Sequence, residues 1–197
     1  MLSLHGRPAA NAAARILRHE RVFCLTDPEN SPDALARMLA DTLSHCGADD
    51  ILAGMRMRVA ENLALSDERV ITGTLAEMAS RRFAPLNVVL IEQSAPPPVP
   101  RFGLTEAEIR HSRGLITKDE VRAAALHSLR LPEHGVFWDI GGGSGSVSLE
   151  AAALAPELDI RIAEKKPEEQ ENIKANIRRF GAYNIRLHSG EAPEVLR

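Results

Sequence analysis

The stretch Val136-Phe137-Trp138-Asp139-Ile140-Gly141-Gly142-Gly143-Ser144-Gly145-Ser146-Val147 constrains this chain more than any other. Val136 to Ile140 reads as a strand, the glycines permit a tight turn, and Val147 to Ala155 reads as a helix stopped by Pro156. Strand, glycine turn and helix in that order make one unit of a parallel sheet covered by helices. Gly141, Gly143 and Gly145 carry no Cβ, so the backbone can turn sharply and approach a ligand closely. Free amides at the start of the following helix can meet an anionic group.

The same grammar continues downstream. Ile160 to Glu164 reads as a second strand, and Pro167 opens a helix with Glu168, Glu169 and Glu171 near its positive end. Ile173, Ile177 and Phe180 form the core face of that helix, Gly181 suits its C-terminal cap, and Ile185 and Leu187 belong to a third strand. Upstream, Thr117-Lys118-Asp119-Glu120 has the spacing of a capping box ahead of a helix over Val121 to Leu131.

Nearer the N-terminus, Pro8 suits the first turn of a helix over Ala9 to His19, and Arg21 to Thr26 reads as a buried strand. Ser31 and Pro32 open a helix with Leu35, Met38, Leu39, Thr42 and Leu43 on one face. Met55 to Leu63 alternates as a strand, Thr72 caps a helix carrying Leu75, Met78 and Ala79, and Leu86 to Ile91 is an apolar strand. Ser94-Ala95-Pro96-Pro97-Pro98-Val99-Pro100 interrupts this alternation as an extended, semi-rigid linker. The expected fold is α/β, with two α/β segments at 1–92 and 103–197 joined by a Pro-rich linker over 93–102. Alternating helices and strands lead to the expectation of parallel sheets covered on both faces.

Composition removes several function classes. A net charge of −3, with no interleaving of basic and aromatic residues, gives no reason to expect nucleic acid as a partner. Cys24 and Cys46 form no C-x-x-C pair, so neither a disulfide framework nor a metal cage is expected. No apolar run approaches the roughly 20 residues that span a bilayer, so no membrane partner is expected. His5-Gly6-Arg7 interrupts any signal-peptide core, so the expected location is the cytoplasm.

The glycine loop narrows the ligand. Ser146 stands where the dinucleotide pattern G-x-G-x-x-G requires its third glycine. Acid, apolar residue, then G-x-G-x-G is instead the pattern of S-adenosylmethionine (SAM)-dependent methyltransferases. Glu164, at the end of the next strand, can accept hydrogen bonds from both ribose hydroxyls of an adenosine, a device shared with NAD enzymes. The Gly190-Glu191-Ala192-Pro193 turn closes the third strand, where methyltransferases keep the adenine. Candidate SAM-binding residues from the loop, strand end and turn are Gly141, Gly142, Gly143, Ser144, Gly145, Glu164, Glu191 and Ala192. An NAD-dependent oxidoreductase is the competing enzyme class.

These residues also carry a family resemblance. Leu115-Ile116-Thr117-Lys118-Asp119-Glu120-Val121-Arg122, Trp138 to Val147, Ala163-Glu164-Lys165 and Gly190-Glu191-Ala192-Pro193-Glu194 resemble the decarboxylating precorrin methyltransferases of cobalamin biosynthesis. Ser3 to Arg7, Leu25 to Pro32, Glu61-Asn62-Leu63 and Leu86 to Glu92 are similar to the C-terminal half of a tetrapyrrole methylase domain. Joined in this order, they resemble the bifunctional enzymes that methylate carbons 5 and 15 of a precorrin.

The resemblance implies a truncated class I, Rossmann-like SAM-methyltransferase sheet in the second segment. It also implies a tetrapyrrole substrate, loss of carbon dioxide from the ring-C acetate, and Thr117 as a further SAM contact. Arg110, His111, Arg113 and Lys118 offer cations for the carboxylates of such a substrate. No catalytic base is identified. The family pattern is incomplete at both ends, so a fragment or split version of the enzyme is expected. An open sheet edge then allows a homo-oligomer, and a non-catalytic SAM-binding or assembly module is the alternative.

Overall fold

A computed structural model of the protein describes residues 1–6, 11–94 and 99–196. The expected helix start at Pro8 and the linker residues Ala95 to Pro98 lie outside the described residues. The chain divides into two compact units, Met1–Pro96 and Pro97–Arg197.

The first unit contains β1 (Leu2–Ser3), α1 (Ala12–Ile16), β2 (Arg21–Leu25), α2 (Pro32–His45) and α3 (Asp49–Gly54). It continues with β3 (Arg56–Glu61), β4 (Arg69–Gly73), α4 (Leu75–Ala79) and β5 (Asn87–Glu92). Its sheet has the order β1-β2-β5-β3-β4, and only β1 and β2 pair in parallel. The expectation of a parallel sheet is therefore corrected for this unit. The crossovers from β2 to β3 and from β4 to β5 do join strands of the same direction. Each passes over one strand, so neighbours in the sheet run antiparallel.

Thr72 lies in β4 opposite Arg58 and does not cap α4. Thr74 does, because its hydroxyl accepts from the Glu77 amide while Glu77 Oε2 accepts from the Thr74 amide at 2.7 Å. β2 buries only Val22 and Cys24, so it is covered on one face. The Asp27 carboxylate accepts from the amides of Gly6 and Asn30 at 2.8 and 2.7 Å, and these backbone bonds hold it below the usual carboxylate range. They join residues near Gly6 to the turn after β2. Burial pushes the Cys24 thiol up to about 11, consistent with an inert core residue.

The second unit contains α5 (Asp119–Leu129), β6 (Gly135–Ile140), α6 (Ser146–Leu154), β7 (Leu158–Glu164), α7 (Pro167–Phe180) and β8 (Ile185–Ser189). β6, β7 and β8 form a parallel sheet in that order, connected through α6 and α7. This is the βαβαβ half of a Rossmann-like sheet. Ile160, Ile162, Ile185 and Leu187 are buried, as are Leu149, Ile173 and Ile177 on the helices. Gly181 closes α7 at φ +63°, as the sequence predicts, because a C-terminal cap there needs the left-handed conformation.

Candidate functional site

The chain turns from β6 into α6 at the carboxyl end of the sheet, where doubly wound folds bind their ligands. Gly141, Gly143 and Gly145 have φ of +76°, +58° and +75°. Nothing lies within 4 Å of where a Cβ would sit on Gly141 or Gly143, whereas one on Gly142 would lie 2.3 Å from Ile162 Cγ2. The loop therefore presents Gly141 and Gly143 to open space and presses Gly142 onto β7. Ser144 is buried, and Gly145 is the residue preceding α6.

Four of the five loop amides are bonded within the protein. Those of Gly141 and Gly142 donate to the Ala163 carbonyl at 2.8 and 3.4 Å, and that of Gly145 donates to the Gly142 carbonyl at 2.8 Å. The Gly143 amide donates to Glu164 Oε2 at 2.9 Å. Asp139, at the end of β6, accepts from the Ser148 hydroxyl at 2.7 Å and from the Ser148 amide in the first turn of α6. Burial, with Glu164 nearby, raises the Asp139 carboxyl above the usual range against the pull of these bonds. The expected free donors at the start of α6 are reduced accordingly, because Asp139 takes the Ser148 amide.

A cavity of about 470 Å³ opens beside the loop, within the range of small-molecule sites. Gly141, Gly143, Glu164, Glu191 and Ala192 line it, among the residues that the sequence marks out. Gly142, Ser144, Gly145 and Thr117 are not among its lining residues. Glu164 is only 6% exposed, and its second oxygen accepts from the Lys166 amide at 2.9 Å. Each carboxylate oxygen has two acceptor positions, so both retain capacity for a hydroxyl donor. At the rim, Lys165 Nζ donates to Glu191 Oε1 at 2.7 Å, which holds Lys165 above and Glu191 below its ordinary range.

Leu115 and the buried Glu169 also line the cavity and were not marked out by the sequence. Glu169 reads in sequence as an acid complementing the α7 dipole, and the alternative, a wall of the cavity, carries no periodic signal.

The capping box at Thr117 does not form. α5 begins at Asp119, preceded by Lys118 with no side-chain cap bond. Arg122 is the physical reason: it is 1% exposed, and its guanidinium donates to the Thr117 carbonyl at 2.7 Å, fixing Thr117 outside the helix. Arg122 also donates to the Leu104 carbonyl and lies 3.3 Å from the buried Glu150. Of the cations proposed for substrate carboxylates, Lys118 is paired with Glu106 at 2.6 Å, while Arg110 and Arg113 are exposed. Among the described residues no cluster of His, Cys, Asp or Glu has the arrangement of a metal site, and no helix is long and apolar enough to cross a membrane.

Residues 108–197 match the family model described as the precorrin methyltransferase domain. Over its full length the chain is 34% identical to a Sinorhizobium precorrin-6Y C(5,15)-methyltransferase [decarboxylating], covering 46% of that protein. It is 38% identical over 96 residues to a probable cobalt-precorrin-6B C(15)-methyltransferase (decarboxylating) from Sulfolobus acidocaldarius, covering 48% of this chain and 50% of the relative. A crystal structure of precorrin-6Y C5,15-methyltransferase from Geobacter metallireducens aligns at a TM-score of 0.47 and 42% identity, covering 48% of this chain and 51% of that one. The chain spans about half the length of these relatives.

Proposed function

We propose that this chain, related along its whole length to a decarboxylating precorrin methyltransferase, is a SAM-binding part of an enzyme that methylates a precorrin at carbons 5 and 15. In this reading residues 1–92 derive from the C-terminal part of a tetrapyrrole methylase-like domain. Residues 103–197 form the first part of a class I methyltransferase domain. The observation that carries the choice of cofactor is the commitment of the Gly141, Gly142, Gly143 and Gly145 amides to Ala163, Glu164 and Gly142. A pyrophosphate needs such donors free. A nucleoside attached to a sulfonium needs acceptors for its ribose and close backbone approach, which Glu164, Gly141 and Gly143 provide. This favours SAM over NAD.

When bound, SAM supplies an activated sulfonium methyl, so catalysis depends mainly on alignment of methyl and acceptor carbon. Glu164 would hold the ribose, Gly141 and Gly143 would give the ligand its approach, and the Gly190 to Ala192 turn would bound the nucleoside end. The Gly190 backbone is held for this by its amide bond to the Glu164 carbonyl at 3.0 Å. The carboxylate of the ring-C acetate would leave as carbon dioxide, its methylene staying on the ring and the pair of the broken C–C bond being taken up by the conjugated macrocycle.

The test is mass spectrometry of a cobalt-precorrin-6B substrate after incubation of the full chain with SAM. Gain of a methyl group with loss of carbon dioxide supports the enzymatic reading. Binding of S-adenosylhomocysteine without any turnover would favour the alternative, a SAM-binding or assembly module.

A further inference from the structure

The buried side of α7 is not wholly apolar. Glu169, Asn172 and Asn176 fall on one helical seam and are 3%, 3% and 0% exposed. Asn172 donates to Ser112 Oγ at 2.7 Å and to Glu169 Oε2 at 3.1 Å. Asn176 Oδ1 accepts from the Arg110 amide at 2.9 Å, and its Nδ2 donates to the Arg110 and Ser144 carbonyls at 2.8 and 2.9 Å. Its bonds thus reach two backbones: the segment ahead of α5 and the centre of the glycine loop.

Resting on the nucleoside reading of the cavity, we propose that Asn176 is a positioning residue for that site. It fixes the glycine loop through Ser144 and ties it to the Arg110 to Leu115 segment, whose Leu115 lines the cavity. Fully buried polar side chains are costly unless every group is satisfied. Here both polar ends of the Asn176 amide are spent on backbone, so its geometry specifies one placement of loop and segment. Asn172 repeats the tie at Ser112, and Glu169 brings the same seam to the cavity wall. An apolar residue at 176 would leave the Ser144 carbonyl and both Arg110 backbone groups without these partners.

The experiment compares the full-length wild type with Asn176→Ala, the near-isosteric Asn176→Asp, and Ile177→Ala as a control for lost packing on the same helix. Calorimetric affinity for S-adenosylhomocysteine and hydrogen exchange of the Gly143 and Gly145 amides are measured on folded protein. Both Asn176 variants are expected to bind about tenfold more weakly, equivalent to ~1.4 kcal/mol, and to exchange faster at both amides. Ile177→Ala is expected to lose thermal stability while keeping affinity and loop exchange. If neither Asn176 variant folds, Ser112→Ala, which cuts the parallel tie, is expected to weaken binding in the same direction, and unchanged affinity there would overturn the proposal. Asn176 variants that match wild type in both readouts would also overturn it. Faster exchange in the Asn176 variants, together with a folded wild type that binds no S-adenosylhomocysteine, would sink the nucleoside reading alone.

Discussion

Gly142 and Gly143 are adjacent, yet only at Gly143 should an added methyl group weaken ligand binding. A Cβ on Gly142 would sit 2.3 Å from Ile162 Cγ2, far inside the 3.4 Å at which ordinary contact begins. Ile162 is fully buried, and its β-branched side chain has little freedom to move away. Overpacking of this kind costs about 1–3 kcal/mol. For a domain of this size, ~2 kcal/mol lowers the melting temperature by roughly 8–16 °C. A Cβ on Gly143 meets nothing within 4 Å, but it adds bulk at a residue lining the cavity and at φ +58°. Left-handed strain there costs about 1–2 kcal/mol. Gly142→Ala should therefore be the stability variant, with near-normal affinity for S-adenosylhomocysteine in the folded fraction. Gly143→Ala should be the binding variant, losing, besides the stability taken by its backbone strain, about tenfold or more in affinity, or ~1.4 kcal/mol. Thermal unfolding and calorimetry of both proteins check this. Gly142→Ala melting at the wild-type temperature, or Gly143→Ala binding at wild-type strength, would refute the geometry assigned to the loop.

Arg122→Met leaves Glu150 as a lone buried carboxylate and should cost about 3–5 kcal/mol in urea unfolding. Adding Glu150→Gln keeps an acceptor for the Leu104 amide, now bonded at 2.7 Å, and should recover part of that loss. Asp139 gives a pH prediction, because burial raises its folded carboxyl above the unfolded value. Its contribution to stability is then fully present below the ordinary Asp range, about pH 3.9, and is lost as pH rises through the elevated value. Asn in its place should compare progressively better with wild type as pH increases, as read by denaturant unfolding at several pH values. At the rim, removal of the Glu191 charge by Glu191→Gln should lower the Lys165 pKa, observable by NMR titration.

The second unit was legible because its elements follow one another in local βαβ order, and the sequence punctuates them with glycine and proline. In the first unit the periodicity located most elements but not their partners. β4 was missed because it lies at a sheet edge, with Val70 59% exposed and little apolar alternation to read. α3 buries no residue and so leaves no periodic apolar trace. The Thr74-x-x-Glu77 spacing was available in the sequence, but the expected cap fell on Thr72, which the strand claims for its own pairing. Of the candidate site, glycines and strand-end acids announce themselves through local constraints. Glu169, Asn172 and Asn176 do not, because the groups that satisfy the two asparagines include backbone and side chains distant in sequence. Thr117 illustrates the converse: its spacing suits a cap, while Arg122 decides where the helix starts.

The most direct measurement is calorimetric titration of the full chain with S-adenosylhomocysteine, with NAD in parallel and Gly143→Arg as the control. Saturable binding of S-adenosylhomocysteine that the variant abolishes is expected, with no binding of NAD, because the amides of all four loop glycines are bonded within the protein. Binding of NAD, or of neither ligand by the folded chain, would contradict this expectation.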